Sequence, residues 1–165
     1  MRLRASLCLL LSLFVAASAP SQPPDDAPFQ DDLLDRLAGD WTMTGHVMGD
    51  SVRHDAEARW VLRHQFLHLQ MTDVNQPPAY AAHVYIGYDS TAHRYVAHWL
   101  DTTGGEASTT IGVGHRDGDT LRFRFDYPDA PFRTTFVHRA DGTRRLRMRS
   151  KNESDDWQPF AAYTM

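Results

Sequence analysis

From Asp40 to the C-terminus the chain alternates apolar and polar residues with a period of two and never returns to a helical period. Successive side chains of a strand point to opposite faces, so this pattern dictates a sheet with one dry and one wet side. Val52, His54, Ala56, Ala58 and Trp60 alternate with Arg53, Asp55, Glu57 and Arg59; Leu121, Phe123, Phe125 and Tyr127 alternate with Arg122 and Arg124; Leu146 and Met148 alternate with Arg145, Arg147 and Arg149. Further strands are predicted over residues 41–48, 66–72, 80–88, 94–100, 107–114, 132–138 and 157–164. Turn chemistry separates most of them: Gly49-Asp50, Asp89-Ser90, Gly104-Gly105, Asp117-Gly118, Pro128-Asp129 and Asp141-Gly142. About ten short strands joined mainly by hairpins predict an all-β, antiparallel, up-and-down architecture. A closed barrel is preferred to a sandwich because it leaves few exposed edges.

One helix precedes the sheet. Leu33, Leu34 and Leu37 share a face between Asp31 and Leu37, acids occupy the first turn, and Gly39 ends the segment. Upstream, Arg2 and Arg4 precede an apolar run from Leu7 to Ala17 that ends in small residues, which predicts a signal peptide over residues 1–19, cleaved after Ala17 or Ala19. The run is shorter than the roughly 20 residues of a membrane span, so no transmembrane segment is expected after cleavage. Residues 20–29, rich in proline and polar side chains, read as a flexible linker, and residues 30–165 as one barrel domain. Export to the periplasm or beyond follows as an expectation.

Cys8, the single cysteine, falls inside the cleaved segment, which leaves the exported chain without thiol chemistry. The formal net charge is -4. It becomes -6 once Arg2 and Arg4 are lost, because the first acid is Asp25. That balance excludes the phosphate attraction behind non-specific nucleic-acid binding.

Leu37-Ala38-Gly39-Asp40-Trp41 resembles the Gly-x-Trp opening of lipocalins and other calycins. Gly45-His46-Val47-Met48-Gly49, Tyr85-Ile86-Gly87-Tyr88-Asp89, Tyr95-Val96-Ala97-His98-Trp99-Leu100-Asp101 and Tyr127-Pro128-Asp129 resemble, in order, a bacterial domain-of-unknown-function family with a lipocalin-like fold. The resemblance implies a calycin-like barrel in which Gly39 and Trp41 are structural: the indole closes the barrel floor, covered by an arginine from a late strand such as Arg147 or Arg149. A distant similarity to nitrobindin-like haem barrels rests on Gly39, Trp41 and Gly45. Met43 replaces that motif's middle glycine, and residues 144–165 contain no histidine to serve as axial ligand, so no cofactor is predicted and haem remains a minor alternative.

Nine histidines invite a metal reading. His64 and His68 have the i, i+4 spacing of helical zinc ligands, but on a strand they would stand about 13 Å apart, too far to share one ion. No metal site is predicted. Gly112-Val113-Gly114-His115-Arg116-Asp117-Gly118 has one residue too many for a dinucleotide loop and reads as a turn. The arginine stripe of Arg145, Arg147 and Arg149, with Arg122 and Arg124, could bind anions; the preferred reading is a solvated face whose charge is balanced by carboxylates such as Asp55 and Glu57.

Polar residues on a dry face must find a partner or a ligand, which singles out His54 and His138, and His98, whose face is ambiguous. The aromatic residues assigned to the interior are Trp60, Tyr85, Phe123, Phe125, Phe132 and Phe136, and all but Phe132 complete the candidate ligand-binding set. No catalytic residues are assigned. The expected function is to hold a small apolar or amphipathic molecule in a cavity lined by the even face of residues 52–60 and the odd face of residues 121–127. The alternatives are a haem- or histidine-dependent barrel enzyme and a structural envelope protein with a filled barrel.

Overall fold

The computed structural model describes residues 27–165. The expected signal peptide and residues 20–26 of the expected linker lie outside the described residues. Helix α1 (Asp32–Leu37) is followed by ten strands: β1 (Gly39–Val47), β2 (Asp50–Val61), β3 (Phe66–Asp73), β4 (Ala81–Asp89), β5 (Arg94–Asp101), β6 (Ile111–Asp117), β7 (Thr120–Asp126), β8 (Pro131–His138), β9 (Arg144–Lys151) and β10 (Trp157–Thr164). Each pairs antiparallel with its sequence neighbour, and β1 closes the barrel on β10 with Thr44 opposite Thr164. The alternation therefore found the strands and the barrel. The exception is residues 107–109, a 3-10 turn rather than strand. There the Ser108 hydroxyl donates to Gly104 O at 2.9 Å and the Thr109 hydroxyl to Glu106 O at 3.1 Å, local bonds that compete with a sheet ladder.

Asp31 is the N-cap of α1, accepting from Leu33 N and Leu34 N, and Leu33, Leu34 and Leu37 are buried. The extended Ala38 ends the helix, and Gly39 already belongs to β1 with φ +145°. A Cβ on Gly39 would come 3.0 Å from the Trp41 ring, so the chain can fold back over the indole only with glycine there. Trp41 Nε1 donates to Leu37 O at 2.9 Å, and the guanidinium of Arg144 lies 4.0 Å over its ring. The covering arginine is thus Arg144, not Arg147 or Arg149, whose parity on β9 sends them outward. The Gly112–Gly118 stretch is likewise mostly strand, with only Gly118 in the turn. Gly112 and Gly114 make room for the Phe125 and Phe123 rings, each of which would lie 2.5 Å from an added Cβ. Gly114→Ala is expected to cost about 1–3 kcal/mol by overpacking, measurable as a lower urea midpoint.

Candidate functional site

The two ends of the barrel differ. At the α1 end the interior is packed: Ala58, Leu121 and Phe123 are at most 2% exposed, and the void between α1, Leu121, Phe136 and His138 is about 20 Å³, room for one water. This half fills the cavity expected along β2 and β7. Tight hairpins close this end, whereas the longer connections 74–80 and 102–110 lie at the other end, the mouth. Two aspartates pin those loops. Asp73 accepts from Asn75 N at 3.1 Å and Ala79 N at 3.3 Å, while Asp101 accepts from Thr103 N at 2.9 Å and from the Thr103 hydroxyl.

Inside the mouth, Trp99 Nε1 donates to the Tyr80 hydroxyl, which donates onward to Asp101 Oδ2, both at 3.1 Å. Burial holds the Tyr80 phenol protonated far above its ordinary range, and it pushes Tyr127 and Tyr163 up to about 12. All three are neutral at physiological pH. The His54 ring lies 5.7 Å from that of Tyr80 and 5.5 Å from that of Tyr163. It is 3% exposed, and its Nδ1 is buried with no hydrogen-bond partner. A second interior polar atom without a partner, Thr134 Oγ1, sits on β8 between Phe132 and Phe136. Around the rim an aromatic chain runs from Phe125 to Tyr127 (5.5 Å), Phe132 (5.7 Å) and Phe160 (5.0 Å), the last three half-buried.

The residues singled out from the sequence do not come together. His54 and Phe125 reach the mouth. Phe123 and Phe136 pack edge to face in the filled half. His138 lies under α1, where burial, then Arg144 and Arg36, lower its pKa. Trp60 is at the same end, donating to Asp35 Oδ1 at 2.8 Å and stacked on His64 at 4.0 Å. Two residues are outside the barrel. Tyr85 stacks at 4.5 Å on His68, which shares a 2.8 Å hydrogen bond with His83, and His98 Nε2 donates to Ser108 O at 2.6 Å. Tyr85, expected inside, stands on a strand whose two faces look alike in sequence. Here Val84 and Ile86 take the inside with 0% exposure. Tyr80, Trp99, Asp101 and Tyr163 were missed as site residues, whereas Tyr127 lies on the odd face expected to line the cavity. They cluster only once the strand ends of β4, β5, β7 and β10 meet.

Haem would need an imidazole nitrogen facing a porphyrin-sized space. His138 faces the 20 Å³ void, and His54 is 3% exposed with two tyrosine rings within 6 Å, so the residues present do not fit haem. Among the described residues no group of three or more His, Cys, Asp or Glu side chains could hold a metal ion, and no helix is long and apolar enough to cross a membrane.

Burial lowers the His54 pKa, partly opposed by Asp73 and Asp55. The unfolded chain then takes up a proton near the ordinary value of about 6.5 while the folded chain resists it, so stability is complete above that pH and falls as pH drops below it. His68 and His138 shift in the same direction. Melting temperature is expected to decline between pH 7 and pH 5, and His54→Gln to make that decline shallower. An equal decline in both proteins would remove His54 from the acid response.

A family model described as a protein of unknown function (DUF1579) matches residues 29–165. No curated protein matches the chain.

Proposed function

The chain belongs to the DUF1579 family, whose description carries no activity, and we propose, from the N-terminal sequence pattern, that it is exported and, from the barrel's own geometry, that it holds a small apolar or amphipathic molecule at the mouth. The observation that carries this reading is the group of half-exposed apolar side chains at the mouth, Tyr127, Phe132, Met148 and Phe160, at the same end of the barrel as the buried His54, whose Nδ1 lacks a partner. Half-exposed rings gain by burial against an apolar ligand, and an unpaired buried nitrogen gains by meeting a polar group of that ligand. The filled half limits such a molecule to the upper part of the barrel.

The test is titration of the purified protein with the apolar fluorophore N-phenyl-1-naphthylamine, alongside native mass spectrometry with lipid extraction. Saturable one-to-one fluorescence enhancement is expected, weakened several-fold by Phe132→Ala. No saturable enhancement, together with a native mass equal to the bare polypeptide, rejects the reading. The structural envelope role, which the packed α1 half favours, would then take its place.

A further inference from the structure

The outer faces of β7, β8 and β9 carry six arginines, and register sets them against one another: Arg124 is directly opposite Arg133, and Arg133 opposite Arg149. Like charges directly opposed on a sheet are destabilising unless something offsets them. The carboxylates expected to do so are elsewhere. Asp55 and Glu57 project from β2, where Glu57 pairs with Arg59 at 3.2 Å. Four of the six arginines find local partners. Arg122 pairs with Asp117 at 3.2 Å and Arg124 with Asp126 at 2.6 Å; Arg133 lies 4.0 Å over the Trp157 ring, and Arg149 Nη2 donates to Trp157 O at 2.5 Å.

Arg145 and Arg147 remain. Among the described residues neither forms an ion pair, and Arg145 Nε is buried without a hydrogen-bond partner. Arg145 acts on Asp141 through space without forming a salt bridge with it. These same two side chains line a groove of about 500 Å³ on the barrel exterior. Its other lining residues include Thr44, Ser51, Thr164 and His46, and none is a carboxylate. Gly45 and Ala162 also line it, and β1 and β10 approach so closely there that a Cβ on Gly45 would come 1.9 Å from Ala162 O.

We propose that this groove binds an oxyanion bearing more than one charge, of the phosphate-ester or pyrophosphate class, through Arg145 and Arg147. Guanidinium forks match phosphate oxygens two at a time, and two residues apart on one strand places the two arginine Cα atoms about 6.6 Å apart on one face, so both forks can reach one oxyanion or two neighbouring ones. The hydroxyls of Thr44, Ser51 and Thr164 supply neutral donors. The volume falls within the roughly 300–1,000 Å³ of small-molecule sites. The site lies on the outer wall of the barrel and shares Tyr163 with the mouth cluster.

Calorimetry at low ionic strength with inorganic pyrophosphate and with glycerol 3-phosphate, on the protein as the cell processes it, tests this. Saturable binding is expected, at least tenfold weaker in Arg147→Gln, intermediate in Arg147→Lys and unchanged in Arg59→Gln. Because Arg147 is exposed and has no partner to lose, its variant should fold normally, which circular dichroism checks. Pyrophosphate should also raise the melting temperature of the wild type and not of Arg147→Gln. Co-sedimentation with vesicles containing phosphatidic acid that Arg147→Gln abolishes would assign the source as a lipid headgroup, and binding of the soluble anions alone would assign a free phosphate. Equal affinity in wild type and Arg147→Gln, equal weakening in Arg59→Gln, or no binding of any of the three probes overturns the proposal.

Discussion

Asp31→Ala is expected to lower stability by about 3 kcal/mol and the melting temperature by about 10 °C. Asp31 is 7% exposed and serves four partners. Its Oδ1 accepts from Leu33 N and Leu34 N, both at 2.9 Å; its Oδ2 accepts from the Tyr95 hydroxyl; and Arg116 Nη1 lies 3.3 Å from each oxygen. Loss of an N-cap costs about 1 kcal/mol, and a buried hydroxyl left without a partner about 1–3. Arg116 is not stranded, because it keeps Asp32 at 2.6 Å and Gly118 O at 2.8 Å. Asp31→Asn separates the contributions. Asparagine caps as well as aspartate, but its Nδ2 then faces Tyr95, whose hydroxyl must turn from donor to acceptor, and the charge opposite Arg116 is lost, so its cost should be smaller, about 1–2 kcal/mol. Thermal melts in which Ala and Asn are equivalent, or in which Ala stays within two degrees of wild type, would show that this network does not hold α1 on the barrel.

Trp41→Ala should be of similar size, about 3 kcal/mol, at the low end for a tryptophan because the ring is only half-buried. The indole is held by Leu37 O on one edge, packed against Gly39, and covered by Arg144, whose Nε donates to Arg36 O at 2.8 Å. Its removal therefore unfastens α1, β1 and the start of β9 together. His98→Gln is the contrasting case. It loses one surface contact, to Ser108 O, and should leave both the melting temperature and the binding of an apolar probe at the mouth nearly unchanged, since His98 points away from the interior. A Trp41→Ala protein that melts within two degrees of wild type would show that the indole does not close the α1 end.

Mouth and floor are assembled from opposite ends of the same strands. On β5, Tyr95 reaches Asp31 at the floor while Trp99, four residues on, reaches Tyr80 at the mouth, and only the odd face of the strand can supply both. That requirement turns Val96 and His98 outward. Val96 then pairs with Val113, which is 40% exposed, and His98 with Ile111, which is 47% exposed. An apolar strip on the outer wall is the consequence of spending the strand's two largest polar-tipped rings inside.

The number of strands, the hairpin order, the single helix with its acidic start and the outward parity of Arg145, Arg147 and Arg149 were all legible in the chain by itself. Each depends on spacings of two to four residues, and that periodicity is a local property. Where one face is apolar and the other charged, as on β2 and β7, the local pattern also determines which side is buried. On β4 and β5 both faces carry aromatic or aliphatic residues, so alternation is silent, and the choice fell to contacts made across the barrel: Tyr95 with Asp31, Trp99 with Tyr80. The same holds for Arg144 over Trp41, for the two arginines left without carboxylates and for the cluster around His54. These join residues far apart in sequence, and their proximity is set by cross-strand register and by the closure of β1 on β10, which no short window of sequence contains.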